Sequence, residues 1–157
     1  MEVTMKLAEA LQERADLVRK IEQLRTRLTN NCLVQEGEKP AEDPASLLRE
    51  LDDAAALLQQ RMVQINLTNC RTLVEGRTLT AWLAEKDCLI LTLSAYRNLV
   101  NEASQNTQRA RYTEIKILPA VNVAELQARA DGIARDIRLI DNRLQACNWT
   151  TDLIEDA

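Results

Sequence analysis

Apolar residues recur every three or four positions along most of this chain, and that spacing limits its fold more than any other feature. Between residues 5 and 33 the apolar side chains fall on one side of a helical wheel: Leu7, Leu11, Leu17, Val18, Ile21, Leu24, Leu28 and Cys32. A helix of this length extends about 40 Å. Its apolar stripe therefore needs another long helix to cover it.

Three further stretches have the same spacing, and residues typical of turns and helix caps separate them. We predict helices over about residues 5–33, 44–73, 79–105 and 123–148. Asp43 followed by Pro44 is typical of an N-cap and a first helical residue. Glu75–Gly76 predicts a turn, and Asn122 with Glu125 has the pattern of a capping box.

The composition favours the same fold class. The chain contains 3 glycines, 3 prolines and no phenylalanine, so residues that form turns and strands are scarce. Short connections between long helices force neighbours to run antiparallel. We therefore predict an all-α fold, an antiparallel bundle of about four long amphipathic helices that forms a single domain over residues 1–157. One short extended segment is expected near residues 113–118, where apolar and polar residues alternate before Pro119.

The third helix is apolar on nearly every side between Cys88 and Tyr96. Such a helix is either central or covered by a second partner, and nine residues are too few to cross a membrane, so we predict burial. Leu91 lies away from the main stripe of this helix. That excess of apolar surface predicts a homo-oligomer, most simply a dimer, with Leu91, Ile115 and Ile117 at the interface.

Five charged residues interrupt the apolar stripes: Arg14, Arg25, Lys86, Arg97 and Asp141. An unpaired buried charge is very costly, so we expect these groups to find partners on other helices or to reach the edge of the core. One interpretation is a polar pocket that binds an anion. The other is a set of ion pairs that fix the register of the helices, and the sequence leaves both open.

The residues that the chain lacks exclude several kinds of catalytic site. Without histidine there is no Ser–His–Asp or Cys–His arrangement and no Glu-x-x-His di-iron motif. The four cysteines are widely separated and no glycine-rich phosphate loop is present, so we expect no cofactor, no metal and no enzymatic activity.

Charge and hydropathy limit the partners and the location. A net charge of −4 gives no reason to expect nucleic acid or an anionic membrane surface. No secretory signal and no apolar stretch of about 20 residues is visible, so we expect a cytoplasmic protein with buried, reduced cysteines.

Several short segments together resemble the septicolysin-like family of small bacterial proteins. They are MKLAEAL at residues 5–11, VQEGEKPAEDP at 34–44, INLTN at 65–69, EGRTLT at 75–80, EIK at 114–116 and NWTT at 148–151. The resemblance implies a bacterial, helical protein, and the name of the family implies a cytolysin. It supplies no motif that would place an active site.

Two functions follow from these observations. The first is a non-enzymatic, self-associating helical protein that acts as a scaffold or binds a partner. The alternative is a membrane-active or pore-forming protein, as the name of the resembled family implies. The second would bring Arg14, Lys86 and Asp141 against hydrocarbon at a cost of several kcal/mol. The sequence identifies neither a ligand nor a process.

Overall fold

Long helices dominate the chain in a computed structural model that describes residues 4–105 and 115–156. These helices are α1 (Leu7–Asn30), α2 (Pro44–Arg71), α3 (Leu79–Ser104) and α4 (Val123–Thr150). Two short strands, β1 (Leu73–Val74) and β2 (Arg77–Thr78), pair antiparallel between α2 and α3. The all-α fold is therefore confirmed, and every predicted helix lies within three residues of its predicted bounds.

The chain groups into two compact units. Unit 1 consists of Met1–Thr72 and Cys147–Ala157, and unit 2 consists of Leu73–Ala146. Unit 1 contains α1, α2 and the last residues of α4, whereas unit 2 contains the hairpin, α3 and most of α4. The prediction of one domain over residues 1–157 stays a prediction.

In unit 1 the helices α1 and α2 pack antiparallel. Glu13, early in α1, accepts a hydrogen bond from Arg61 late in α2 at 2.5 Å, while Arg27 near the end of α1 binds Glu42 just before α2. The predicted cap of α2 is confirmed, because the Asp43 carboxylate accepts from the backbone N–H of Ala45 at 3.2 Å. The core of unit 1 consists mainly of Leu7, Leu17, Leu24, Leu47, Ala54, Ile65 and Leu153.

Helix α1 ends at Asn30, three residues before the predicted end, and Asn31 is the reason. The Asn31 side chain donates to the carbonyl of Arg27 at 2.8 Å and accepts from the backbone N–H of Glu42 at 3.0 Å. Because this side-chain amide forms hydrogen bonds both to the last turn of α1 and to the segment before α2, the helix ends here and the connection begins. Cys32, which the helical spacing placed on the apolar stripe, is exposed.

Both ends of the described chain meet in unit 1. The backbone N–H of Leu7 donates to the carbonyl of Thr151 at 2.9 Å, and that of Leu153 donates to the carbonyl of Met5 at 2.8 Å. The fully buried hydroxyl of Thr68 accepts from the backbone N–H of Ile154 at 2.9 Å. Side chains of α2 and the backbone of the first residues therefore fix the segment that follows α4.

In unit 2 the helices α3 and α4 pack antiparallel. Lys86 early in α3 binds Asp141 late in α4, and the Tyr96 ring lies 5.1 Å from the guanidinium carbon of Arg129. Thr78 caps α3 by accepting from the N–H of Ala81 at 3.1 Å. The Asn122 amide accepts from the N–H of Glu125 at 3.1 Å. The core of unit 2 is built from Leu79, Trp82, Leu93, Val100, Ala130, Ile140 and Leu144.

Within this single chain only part of the apolar run of α3 is buried, and its cover by a second partner stays a prediction. Leu93 is buried, but Ile90 is 45% exposed and Leu91 is 73% exposed. Helix α4 covers one face of α3, and the run continues around the helix onto the opposite face. No described residue covers that second face.

Residues 115–118 form no strand, so the expected extended segment has no strand pairing over the part that the structure describes. Residues 113 and 114 of that segment lie outside the described residues. Ile115 is 77% exposed and Ile117 is 43% exposed.

The four cysteines form no disulfide, as expected, but the prediction that they are buried is wrong. Cys32, Cys70 and Cys88 are exposed, and Cys147 is half-buried. Among the described helices, none combines the length and the apolar character needed to cross a bilayer.

Candidate functional site

A tight turn in unit 2 precedes a group of polar side chains around Trp82. Glu75 and Gly76 connect β1 to β2, and both have positive φ angles, 51° and 77°. Two such residues in succession are typical of a type I′ hairpin, and glycine adopts this conformation without steric cost. The turn places the carbonyl of Val74 and the side chain of Arg77 beside the first turn of α3.

Trp82, the fourth residue of α3, contacts two arginines, Arg77 of β2 and Arg143 of α4. Its indole is 7% exposed and its Nε1–H donates to the carbonyl of Val74 at 3.0 Å. The guanidinium carbon of Arg77 lies 4.2 Å from the ring centroid, and that of Arg143 lies 4.8 Å from it. Stacking of this kind restrains both guanidinium groups and is favourable through the quadrupole of the ring.

Each of these arginines also binds a carboxylate. Arg77 donates to Glu85 at 2.7 Å, and Arg143 lies 3.1 Å from Glu75. The four side chains are 41–61% exposed, so each pair contributes at most about 1 kcal/mol to stability. Their main effect is on geometry, because stack and ion pair together hold each guanidinium in one place. We call these five residues (Glu75, Arg77, Trp82, Glu85 and Arg143) the Trp82 cluster.

Of the five charged residues that the sequence singled out, the structure brings two together. Lys86 Nζ lies 2.5 Å from Asp141 Oδ1, and the two side chains are 25% and 41% exposed. Arg97, also on α3, is exposed. This pair lies at the edge of the core of unit 2, where water still reaches the carboxylate.

Arg14 and Arg25 do not form a buried polar cluster in unit 1. Arg25 is 77% exposed and pairs at 3.5 Å with Glu22 on the same helix, whereas Arg14 is half-buried. Leu24 is fully buried, and the next residue of an α-helix points about 100° away from it. The sequence predicted a wide apolar face on this helix. The buried face that the structure shows is narrower, so some of the predicted positions are exposed to water.

Each unit has a surface cavity lined by described residues. In unit 2 a cleft of about 260 Å³ lies between α3 and α4 beside the Trp82 cluster, lined by Trp82, Glu85, Leu89, Asp136, Leu139, Ile140 and Arg143. In unit 1 a more apolar groove of about 400 Å³ follows α2 beside Glu155. Among the described residues, no group of three or more Asp, Glu, Cys or His side chains is arranged to hold a metal ion.

A family model matches residues 14–153, and its description is a family of unknown function, DUF6847. The chain belongs to this family. The DUF6847 match includes the Trp82 cluster and, apart from the first residues of α1, the helix pair of unit 1. No match was found among curated proteins.

A solved structure is similar to this DUF6847 chain over almost its entire length. It is described as the crystal structure of a functionally unknown conserved protein from Corynebacterium diphtheriae. The two are 33% identical, the match covers 97% of this chain and 100% of that chain, and the TM-score is 0.91. The likeness supports the fold and brings no function with it.

The resemblance to the septicolysin-like family is wrong. The family model that matches is DUF6847, and neither it nor the crystal structure points to a cytolysin. The segments that suggested the resemblance are short. Two of them contain a helix cap or a tight turn, Asp43–Pro44 and Glu75–Gly76, which many helical proteins share for the same physical reasons.

Sequence reasoning missed the residues that organise both units. Arg77, Trp82 and Arg143 form a cluster of ring contacts and ion pairs in unit 2, yet none of them interrupts a helical stripe. In unit 1 the buried polar residues of α2 are Gln64 and Thr68. The one available signal was a tryptophan one turn after a predicted turn, because a buried indole N–H needs an acceptor nearby.

Proposed function

We propose that this protein is a non-enzymatic, self-associating helical protein that forms a homodimer through the face of α3 opposite α4. The observation that carries the proposal is the exposure of this face. We call it the outer stripe of α3 and define it by Ala84, Cys88, Leu91, Ala95 and Leu99. All five residues are exposed, with Leu91 at 73% and Leu99 at 43%.

The spacing within the outer stripe supports a helix as its partner. Its first four members are separated by four, three and four residues, which is the seam spacing of paired helices. No charged residue occurs from Cys88 to Tyr96. The outer surface of α4, by contrast, includes Arg135 and Arg138, which are exposed and charged.

The side chains of the outer stripe favour a second copy of this chain. Ala84, Cys88 and Ala95 are small, and Leu91 lies between them. Two such stripes facing each other place the leucine of each copy in the space above the small residues of the other. A self-complementary patch of this kind is what a two-fold homodimer requires, and two-fold homodimers are the commonest soluble assembly.

Ile115 and Ile117 form a second part of the proposed interface. Both are exposed, and Leu118 beside them is 74% exposed. Covering them in the dimer removes further apolar surface from water, at roughly 25 cal/mol for each Å² buried.

Three exposed cysteines support the cytoplasmic location that we propose with this function. Cys32, Cys70 and Cys88 form no disulfide, and exposed reduced thiols persist in a reducing compartment. The membrane-active alternative is not favoured, since the described helices include none able to cross a bilayer.

Light scattering coupled to size-exclusion chromatography tests the dimer. At micromolar concentration we expect twice the 17.8 kDa of one chain for the wild type, and a single-chain mass for Leu91→Glu. Leu48→Glu, a change of the same kind at a 49% exposed position on α2, should leave the dimer intact. A wild-type mass of one chain, or equal masses for the two variants, would refute the proposal.

A further inference from the structure

We propose that the cleft between α3 and α4 in unit 2 binds a short peptide of about three residues with free ends and an apolar centre. This site is separate from the outer stripe, which lies on the opposite face of α3. The inference therefore goes beyond self-association. Its basis is the placement of opposite charges at the two ends of an apolar floor, as the residues lining the cleft show.

The cationic end is Arg143. Its guanidinium is stacked on Trp82 and paired with Glu75, so it is fixed before any ligand arrives. The side chain of Arg143 nevertheless remains 42% exposed, which leaves donors available to the cleft. A planar guanidinium held in this way is suited to a carboxylate, which it can bind with two parallel hydrogen bonds. Prior ordering also reduces the entropic cost of binding.

The anionic end is Asp136, two turns earlier on α4. It is exposed, and within residues 4–105 and 115–156 it has no hydrogen bond or ion pair. A carboxylate at the mouth of a cleft accepts hydrogen bonds from an ammonium group. Seven residues of α-helix rise about 10 Å. Three extended residues span nearly the same length, at about 3.3 to 3.6 Å each.

The middle of the cleft fits a peptide better than another zwitterion of equal length. Leu89 and Ile140 supply an apolar floor that would take one apolar side chain. Glu85, one turn after Trp82 on α3, also lines the cleft. One of its oxygens binds Arg77, and a carboxylate has further lone pairs that accept from a peptide N–H. The volume of about 260 Å³ accommodates small residues rather than bulky ones.

Nuclear magnetic resonance of the ¹⁵N-labelled protein tests the site with the tripeptide Ala-Leu-Ala. The chain has two tryptophans, so its two indole N–H signals are easily separated. We expect the Trp82 signal to shift and to saturate with a dissociation constant on the order of millimolar, as expected for so small a ligand. The signal of Trp149, which lies in unit 1, should not move.

Blocked peptides identify the two ends without altering the protein. Acetylation of the amino end or amidation of the carboxyl end should each weaken binding about fivefold, the upper range for a half-exposed ion pair. Asp136→Asn should weaken the free peptide to the same extent and leave the acetylated peptide unaffected. Equal affinity for free and doubly blocked peptides, a shift that never saturates, or movement of both indole signals would overturn the proposal.

Discussion

Arg27 and Glu42 illustrate at the scale of single residues how one contact connects two segments. Arg27 donates from Nε and from a terminal nitrogen to the carboxylate of Glu42, which lies one residue before the cap of α2. This guanidinium lowers the pKa of the Glu42 carboxyl, chiefly through the hydrogen bond and also through its charge. The pair therefore makes the stability of unit 1 depend on pH.

The sign of that dependence follows from the direction of the shift. Since the folded state lowers the pKa of Glu42, its contribution is fully present above the ordinary pKa of a glutamate and is lost as the pH falls through the folded value. We expect Glu42→Gln to lower the urea midpoint near pH 7 and to have a smaller effect near pH 3.

Glu36→Gln, in the same connection between α1 and α2, is the control. Glu36 is exposed, so its substitution should leave both midpoints close to those of the wild type. A loss for Glu42→Gln that stays the same at both pH values would contradict the argument.

Lys86 and Asp141 lead to a second prediction for single residues. Asp141→Ala removes the partner of a lysine whose side chain is 25% exposed, so we expect the free energy of unfolding to fall by about 1 kcal/mol. Asp136→Ala removes an exposed carboxylate from the same helix and should change it by less than about 0.5 kcal/mol. Equal urea midpoints for the two variants would count against this role of the pair.

The charged residues also show where prediction from sequence stops. Helical spacing indicates that Lys86 and Asp141 approach the core, but it does not fix the rotation of each helix to better than about one residue. A rotation of that size is 100°, enough to take Arg25 from an apolar arc into water. The Trp82 cluster depends on contacts between residues far apart in sequence, and no local pattern reports them.

At the scale of elements, the sequence predicts where helices begin better than where they end. The starts of α2, α3 and α4 follow from short local signals, such as Asp43–Pro44 and Asn122. The end of α1 depends instead on a hydrogen bond from Glu42 to Asn31, eleven residues earlier. A capping residue can be recognised from its neighbours in the sequence, whereas a hydrogen-bond partner far along the chain cannot.

Helix α4 offers a test at this scale, because Gly132 lies in its interior. A Cβ atom added at Gly132 would meet nothing within 4 Å, and its φ angle is that of an ordinary residue. We expect Gly132→Ala to raise the free energy of unfolding by about 0.5 to 1 kcal/mol, since alanine loses less backbone entropy on folding. Urea unfolding measures the change.

The exposed Ala128 of the same helix supplies the reverse change. Ala128→Gly should lower the free energy of unfolding by a similar amount. If Gly132→Ala instead lowered stability or the mass of the assembly, another helix would have to approach Gly132 closely, and the dimer would involve α4 as well as α3.

At the scale of the whole molecule, the two units differ in how many segments of the chain form them. Unit 2 is one continuous stretch of chain, whereas unit 1 takes residues from both ends. Thr68 is central to that arrangement, because its buried hydroxyl donates to the carbonyl of Gln64 and accepts from the N–H of Ile154. The sequence predicted the helices of unit 1 but not this closure, since nothing near Thr68 indicates a partner 86 residues away.

Thr68→Val tests the closure. Valine has the same shape but leaves the half-buried N–H of Ile154 without its acceptor on Thr68, so we expect a loss of about 1 kcal/mol in the free energy of unfolding. Thr68→Ser keeps the hydroxyl and should lose less. Hydrogen exchange at Ile154 adds a local measurement: its amide should exchange faster in Thr68→Val, and unchanged exchange would refute the closure.

The pairing of Met5 with Leu153 also determines an order of events during synthesis. A ribosome releases all of unit 2 before the segment that completes unit 1. The α1–α2 pair consequently waits for its last contacts while the 73–146 stretch can already pack. Newly made chains thus pass through a stage in which the apolar side chains around Leu7 and Ile65 are not yet covered by Leu153. At that stage chaperones and proteases can bind the exposed apolar surface.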